Sequence, residues 1–564
     1  MSRKAKQIII LVVFIVTVIA TIVAISLIKK FKPSDQVMDI NEYYQVENNE
    51  ALVILQNGIY DKMALYEDGA VYLDYETVVS LINKRFYWDN NENLLIYTTP
   101  TELIKASIGS KDYSVNKNNE SLNHPISKTK DGMLYIAIDF VDKYSDMQYQ
   151  FYESPNRLLI QNDWGDYLFT SVKKDTQLRV LDDIKSDILL ELKEGTKLKF
   201  VNNEVIYDNG FSKVMTDDGI IGFVRNKYLT ESFYERIEST FVEPEYVQTK
   251  KNTPINLVWH QVTNQSANNN LLSDLEGTKG VTTISPTWYS IISNDGSISS
   301  LASEAYVERA HSQGLEVWGL VDDFNPEIDI VRVLSYTSSR EKLINELISS
   351  AIKYNLDGIN IDFERIPQSG GIHFIQFIRE LSIRCRSNGL VLSIDNYVPR
   401  EYSAYYDLEE QGIVADYVII MAYDEHHSTS EVSGSVASIG FVKDAIERTL
   451  TMVPKEKTII GIPFYSRLWK EDHSGIVETQ ALAMTNAQKT FEVNGVEAEW
   501  DSTTGQYYGE YEKDGYIYKM WLEEEESIDL KMQAISKADV AGVAAWKLGL
   551  ERSEVWNVIN KYLN

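Results

Sequence analysis

The sequence has almost no cysteine, few histidines and far fewer basic than acidic residues. Cys385 is the one cysteine among 564 residues, so no disulfide can form within the chain. The 7 histidines show no metal-ligand spacing beyond the weak pair His426-His427, and we expect neither a metal nor another cofactor. A formal net charge of -29 argues against binding to nucleic acid and against docking on an anionic membrane surface.

One long apolar run, Ile8–Ile28, stands near the N-terminus. It carries no charge and is long enough to cross a bilayer as a helix. Basic residues flank the run on both sides, so their count does not determine its orientation. A cleaved secretory signal is the alternative, but no small-x-small cleavage site closes the run. We predict that 1–33 is a cytoplasmic stub and single-pass membrane anchor, with the rest of the chain outside a bacterial cell.

An internal repeat follows the apolar run. The segment 68–73 returns as 131–136, and 93–96 returns loosely as 156–160. Each copy contains a turn, a short strand, a helix-like stretch and a closing strand. We therefore predict a small α+β repeat region over 43–163.

This repeat pattern resembles the copper amine oxidase N-terminal-like domain of bacterial surface proteins, which implies a spacer or a stalk that contacts the cell wall. Despite that name we expect no copper, because the region offers His124 without a cluster of ligands. Segment 168–230 has short strands and ends in Gly219–Val224, which resembles a bacterial Src-homology-3-type barrel. Such modules bind wall peptides or act as spacers. The polar stretches 35–50 and 231–254 are predicted to be linkers.

Beyond Pro254, apolar β-branched runs alternate with helix-like stretches. Eight strands joined by crossover helices predict an α/β fold, a (β/α)₈ TIM barrel over 254–564 with its site at the carboxyl ends of the strands. An open doubly wound sheet is the alternative, but no glycine-rich phosphate loop follows the first strand. Residues 470–527 are too many for a loop and predict an α+β insertion beside the site. The predicted strands are Ile255–Val262, Val281–Ile284, Leu315–Val321, Leu356–Glu364, Val391–Val398, Tyr417–Tyr423, Thr458–Tyr465 and Val540–Trp546.

The fourth of these strands carries an unusual pair of carboxylates. Its alternation places apolar side chains on one face and Asn360, Asp362 and Glu364 on the other. Two carboxylates at i and i+2 cost repulsion and desolvation, and such a pair raises the proton affinity of one member. That arrangement suits a general acid beside a charge that stabilises a cation. The alternative interpretation is an acidic strand end in an acidic protein.

The stretch Asp357–Glu364 resembles the strand-four signature of glycoside hydrolase family 18, Asp-Gly-x-Asp-x-Asp-x-Glu. Other landmarks of the family follow in order on the expected strands, which makes the resemblance specific for 255–564. These landmarks are Ser285-Pro286, Met421-Ala422-Tyr423-Asp424, Gly461-Ile462-Pro463-Phe464-Tyr465 and Trp546.

The resemblance implies substrate-assisted, retaining hydrolysis of a β-linked N-acetylglucosamine polymer. Glu364 would be the acid and base, and Asp362 would stabilise the oxazolinium ion that the substrate's acetamide forms. Tyr423 would donate to the acetamide oxygen, and Trp546 would be the floor under the sugar. The other predicted substrate-binding residues are Asn360, Met421, Asp424, Tyr465 and Arg467. Strand alternation also places Gly461, Pro463, Tyr465 and Arg467 on one face of strand seven.

Asn360 departs from the family signature, which has aspartate there. Asparagine keeps the shape and a hydrogen bond to Asp362 but cannot share its proton, so we expect Asp362 to stay ionised more readily and to lose its proton shuttle. This asparagine resembles the branch of bacterial spore and cell-wall enzymes. That likeness favours peptidoglycan as substrate, with chitin-type oligomers as the alternative.

Two other classes of function remain open from the sequence. The barrel could be a non-catalytic glycan-binding lectin, although retention of both Asp362 and Glu364 counts against this. The chain could instead be a surface adhesin with a vestigial barrel. Further tryptophans could serve as sugar platforms, but for each of them packing in a core is at least as well supported. They are Trp288, Trp318, Trp469 and Trp521.

Overall fold

The computed structural model describes residues 2–204, 210–249, 251 and 253–563. Two compact units are present, one formed by Met1–Phe86 with Ala106–Glu243 and the other by Tyr87–Lys105 with Pro244–Asn564. The predicted ranges 1–33, 168–230 and 254–564 include Met1, 205–209 and Asn564, which lie outside the described residues.

The chain begins with the helix Arg3–Phe31, whose residues are all at least partly exposed. By length and composition it could cross a membrane. Its two threonines donate their hydroxyl protons to carbonyls one turn earlier, Thr17 to Val13 and Thr21 to Thr17, both at 2.8 Å. These polar groups are therefore satisfied within the helix, as a lipid environment requires.

A seven-stranded sheet of the first unit contains most of the repeat. In both copies an Asp-Gly pair at positive φ turns the chain, at Asp68-Gly69 and Asp131-Gly132. The strands after these turns, Ala70–Asp74 and Met133–Ala137, pair antiparallel, and the short helices Tyr75–Thr77 and Ile138–Lys143 follow them. The repeated sequence thus forms repeated hairpins. The other strands of this sheet are Glu50–Leu55, Gly58–Glu67, Ser127–Lys130, Gln148–Tyr152 and Arg157–Gln161.

A second seven-stranded sheet of the same unit is entirely antiparallel among its named strands. Its edge strand Phe233–Ile237 pairs with Gly165–Ser171, so the sheet extends past both predicted boundaries of 168–230. The predicted linker 231–254 is therefore wrong in its first part, which is a strand. The other strands are Thr176–Arg179, Ile188–Leu192, Lys197–Phe200, Phe211–Met215 and Ile221–Arg225.

The predicted linker 35–50 is also partly ordered. It contains the short helix Ile40–Tyr44, and Tyr44 is buried in the core of the second sheet. The Ile221 N–H donates to the Tyr44 hydroxyl at 2.8 Å, and the Met38 N–H donates to the Ile188 carbonyl at 2.9 Å. The acidic composition of this segment predicted a linker because it outweighed the few apolar residues that pack against the sheet.

Eight parallel strands close into a barrel in the second unit, as predicted. The first strand pairs with both the second and the eighth, with Leu257 opposite Thr283 and Ile255 opposite Gly542. On strand four, Ile359 and Ile361 pack outward into the large core under the helices. The strands are Ile255–His260, Thr283–Ile291, Glu316–Asp322, Gly358–Asp362, Val391–Tyr397, Tyr417–Met421, Thr458–Pro463 and Gly542–Trp546.

Helices cover the outside of the barrel because its outward strand faces are apolar. Cys385 is free and buried on one of them, so it is a core residue. The helices are Glu304–Ser312, Ile330–Ser335, Thr337–Lys353, Gly371–Ser387, Leu408–Val414, Ile439–Thr449, Glu525–Ala538 and Val555–Leu563.

The predicted insertion is present but starts at Tyr465, five positions earlier than the predicted 470. Tyr465 and Arg467 lie on its first strand, so the prediction that they share a barrel strand with Gly461 and Pro463 is wrong. The chain leaves the barrel at Phe464, which is fully buried against Trp556 at 5.3 Å between ring centroids. The insertion consists of strands Tyr465–Asp472, Gly475–Ala483, Glu499–Asp501, Gln506–Lys513 and Tyr516–Leu522 and helix Met484–Asn494.

A hairpin from the predicted repeat region belongs to the barrel unit. Its strands are Tyr87–Asp89 and Leu94–Thr98. The buried Arg340 donates to the Tyr87 hydroxyl at 3.2 Å and forms an ion pair with Glu380 at 3.1 Å. The division predicted between 43–163 and 254–564 therefore does not follow the packing.

Candidate active site

The inner residues of strand four lie at the floor of a cleft of about 940 Å³ at the carboxyl ends of the barrel strands. Most of the predicted site residues border this cleft. They are Asp362, Glu364, Met421, Tyr423, Asp424, Tyr465 and Trp546. Asn360 lies fully buried beneath the cleft, and Arg467 lies behind Asp424.

Asn360 holds a polar network inside the barrel. Its Oδ1 accepts from Trp259 Nε1 at 3.0 Å and from the Ser285 hydroxyl at 2.9 Å. Its Nδ2 donates to Asp395 Oδ1 at 2.8 Å. The expected hydrogen bond to Asp362 is not among these, because the amide turns toward strand five.

Asp362 and Asp395 are neighbours on adjacent strands. Ile361 pairs with Ile394 in the parallel register, so the next residues along the two strands, Asp362 and Asp395, also lie side by side. Burial, followed by the charge of Asp395, raises the pKa of Asp362 well above its usual range. Burial likewise raises the pKa of Asp395 to about 8. The two carboxyls thus oppose each other's ionisation, and the expectation that asparagine at 360 makes Asp362 ionise more readily than aspartate would stays a prediction.

Glu364 is held at the end of strand four by groups from two other strands. The Tyr397 hydroxyl donates to Glu364 Oε2 at 2.6 Å. Asp323 accepts the backbone N–H groups of Glu364 and Arg365, each at 3.0 Å. Burial raises the pKa of Glu364, the Tyr397 hydrogen bond lowers it, and the charge of Asp424 raises it. Glu364 is thus a fixed carboxyl whose surroundings favour retention of a proton.

The residues after strand six meet the insertion. Asp424 has φ 55° and accepts the Tyr465 hydroxyl proton at 2.6 Å, with Arg467 at 3.4 Å. Tyr423 is half-buried, with its ring edge toward Trp259 at 6.4 Å. The insertion therefore orients Asp424, while the barrel orients Tyr423.

One of the tryptophans considered borders the cleft. Trp546 ends strand eight, is half-buried on the cleft wall and lies 6.0 Å from Trp259. Three of the other candidates are packed in cores, because Trp288, Trp318 and Trp469 are at most 2% exposed. Trp521 packs against Tyr508 on the insertion, at 4.7 Å between ring centroids. An inward position at a barrel strand's end distinguishes Trp546 from the others.

Sequence reasoning missed several residues of the site. Trp259 on strand one, Asp323 after strand three, and Asp395 and Tyr397 on strand five all touch the predicted residues. A signal for the last two existed, because Asp395-Asn396-Tyr397 ends an otherwise apolar run just as the carboxylates of strand four do. Among the residues that the structure describes, no group of three His, Cys, Asp or Glu is arranged to hold a metal.

Comparison with known proteins agrees with this arrangement. The chain is 31% identical over 237 residues to the "Putative sporulation-specific glycosylase YdhD" of Bacillus subtilis (strain 168), covering 40% of this chain and 55% of that protein. It is 26% identical over 241 residues to the "Cortical fragment-lytic enzyme" of the same organism, covering 41% and 56%. The chain thus spans about half the length of these relatives.

A solved structure and a family model complete the comparison. The C-terminal domain of a "putative chitinase from Desulfitobacterium hafniense DCB-2" shares the fold, with a TM-score of 0.51 and 22% identity over 56% of this chain and 100% of that one. The model of glycosyl hydrolases family 18 matches residues 258–551, just over half of the chain. The chain therefore belongs to glycosyl hydrolase family 18.

Proposed function

We propose that the protein hydrolyses β-linked N-acetylglucosamine-containing glycans with retention of configuration. The observation that carries this proposal is the position of Glu364 beside Asp362 on the floor of the cleft, with the pKa of both carboxyls raised. A raised pKa favours the protonated carboxyl, which is the form that can protonate a leaving oxygen.

The first step breaks the glycosidic bond. Glu364 gives its proton to the glycosidic oxygen, while the 2-acetamido carbonyl oxygen of the substrate attacks the anomeric carbon. The resulting oxazolinium ion carries a positive charge, which ionised Asp362 stabilises. Water then attacks the anomeric carbon and gives a proton to Glu364, which restores the acid.

The remaining residues position the sugar for this step. Tyr423 donates its hydroxyl to the acetamide oxygen, and Trp546 stacks beneath the ring. Asp424 accepts a sugar hydroxyl, in an orientation that Tyr465 and Arg467 maintain through their contacts at 2.6 and 3.4 Å. Met421 ends strand six and closes the wall beside them.

Peptidoglycan is the substrate we infer, with chitin-type oligomers as secondary substrates. Asn360 and the likeness to a cortical fragment-lytic enzyme support it. The helix Arg3–Phe31 would anchor the protein in the cell membrane with the barrel outside. The predicted segment 43–163, apart from its hairpin in the barrel unit, would be the copper amine oxidase N-terminal-like spacer. The predicted segment 168–230, extended to the whole sheet 165–237, would be the Src-homology-3-type module, which could contact wall peptides.

The test is hydrolysis by the wild type and by Glu364→Gln, purified at full length in mild detergent. Glutamine keeps the shape but has no proton to transfer, so turnover should fall by at least ~10²-fold. Products from N-acetylglucosamine oligomers and from peptidoglycan are identified by mass spectrometry. Hydrolysis by Glu364→Gln at the wild-type rate would refute the mechanism. If the wild type binds either glycan but does not hydrolyse it, the alternative function, a non-catalytic glycan-binding lectin, would be favoured.

A further inference from the structure

Strand four has an amide, Asn360, where the family signature has a carboxylate. Strand five supplies a carboxylate next to it, Asp395. Asp395 is only 2% exposed and lies next to Asp362 across the parallel register. One of its oxygens accepts from Asn360. The other, Oδ2, is buried and has no hydrogen-bond partner among the described residues, and the same holds for Oδ1 of Asp362. Two adjacent carboxylates therefore each have a buried oxygen that accepts no hydrogen bond from the part of the chain that the structure describes.

Such a pair cannot carry two negative charges. Neighbouring carboxylates in a buried site share one proton, because ionisation of the second costs both repulsion and desolvation. The charged groups that face the pair from the surrounding strands oppose ionisation as well, since all of them are acidic. They are Asp322 at the end of strand three, Asp323 just after it and Glu364 just after strand four. Tyr423, just after strand six, faces the pair with a neutral hydroxyl.

Asn360 determines where the shared proton rests. Its Nδ2–H bond at 2.8 Å stabilises the ionised form of Asp395, so a proton shared by the pair favours Asp362. Burial and the nearby acidic groups raise the pKa of Asp362 in the same direction. An acetamide N–H and an oxazolinium charge at Asp362 would reverse this preference.

We propose that Asp395 is a positioning residue that takes the proton of Asp362 when the oxazolinium ion forms and returns it when water opens that ion. The proton leaves the Asp362 carboxyl, which becomes the anion facing the cation, and binds the Asp395 carboxylate, which becomes neutral. The reverse transfer restores the free enzyme, so the exchange consumes no proton. This inference rests on the proposed function.

The arrangement accounts for Asn360 in an enzyme that keeps Asp362 and Glu364. The proton-accepting partner of Asp362 stands on strand five, and Asn360 links the two strands through its amide. Because Asn360 also holds Trp259 and Ser285, it orients the acceptor without titrating itself.

The experiment exchanges the two side chains. Asp395→Asn removes the proton acceptor, and the double variant Asn360→Asp with Asp395→Asn returns a carboxylate to the pair from strand four. The two new side chains can make the same hydrogen bond with its direction reversed. Asp529→Asn, on the outer helix Glu525–Ala538, is the matched control. All four proteins are assayed at full length on N-acetylglucosamine oligomers for kcat, KM and their pH profiles, with thermal unfolding as the check on folding.

Asp395→Asn should lower kcat by about 10²-fold with little change in KM, the scale of a positioned proton transfer. Without an acceptor, Asp362 must lose its proton to solvent before it can face the cation. The acidic limb of the kcat profile should therefore move to higher pH, because a shared proton no longer stabilises the single negative charge. The double variant should recover at least about a tenth of wild-type kcat on the same scale. A wild-type pH profile for Asp395→Asn, or a double variant no better than the single one, would overturn the inference. A wild type inactive on every glycan would instead refute the proposed function, and the inference with it.

Discussion

The carboxylate of Asp89 accepts hydrogen bonds from the N–H and the hydroxyl of Thr337, at 2.7 and 2.5 Å. Thr337 begins the helix Thr337–Lys353, whose own N-cap residue, Tyr336, makes no side-chain capping bond. A residue 248 positions earlier thus caps a helix of the barrel. The barrel unit depends on this upstream hairpin for a bond that helices usually obtain locally.

Asp89→Ala should therefore destabilise the start of that helix. Loss of an N-cap costs about 1–2 kcal/mol, because an orphan N–H then lacks an acceptor. Hydrogen exchange at the first-turn amides of this helix, measured by mass spectrometry, should therefore be faster in the variant than in the wild type. Asp61→Ala changes an exposed residue of the first unit and is the control. Unchanged exchange in the helix would show that the cap is dispensable.

Tyr397→Phe should shift the pH dependence of catalysis upward. The hydroxyl of Tyr397 stabilises the ionised form of Glu364 and so lowers its pKa, and its removal leaves burial to raise that pKa further. The acid then keeps its proton to higher pH, and the alkaline limb of kcat/KM moves up. The control is Tyr562→Phe, which removes a hydroxyl bonded to Asp529 on outer helices. A shift of the limb to lower pH would contradict this assignment.

Trp546→Ala should weaken substrate binding and turnover together. Stacking on the indole holds the sugar in the ground state and during its distortion, so KM should rise and kcat should fall. Trp500→Ala removes a tryptophan that is 40% exposed on the insertion and should change neither constant. An unchanged kcat/KM for Trp546→Ala would make that residue part of the core instead.

Hydrolysis should be insensitive to EDTA. The proposed steps need only carboxyls, a tyrosine hydroxyl and the substrate's acetamide. Dialysis against the chelator, followed by assays with and without added zinc or calcium, tests this expectation. Activity lost on dialysis and restored by either ion would require a metal in the mechanism.

The barrel and the central carboxylates could be predicted because both rest on local patterns. Each of the eight apolar runs overlaps an observed strand, and the alternation in strand four correctly separates Ile361 from Asp362. The insertion's first strand was missed because Tyr465 and Arg467 continue the alternation of strand seven. The turn out of the barrel is visible only in the structure, where strand seven ends at Pro463 and Tyr465–Asp472 pairs antiparallel with Gly475–Ala483.

The amino-acid sequence by itself predicted the barrel, through eight separate apolar runs, and the family, through short motifs such as Asp357–Glu364, which also contains the proposed acid Glu364. Tertiary structure alone decided that Asn360 turns toward Asp395, that Tyr397 holds Glu364 and that Asp89 caps a distant helix. These contacts join strands or segments far apart along the chain, and no local period carries them. The proton affinities of Asp362 and Asp395 belong to this second group, because burial and neighbouring charge, rather than residue type, raise both pKa values.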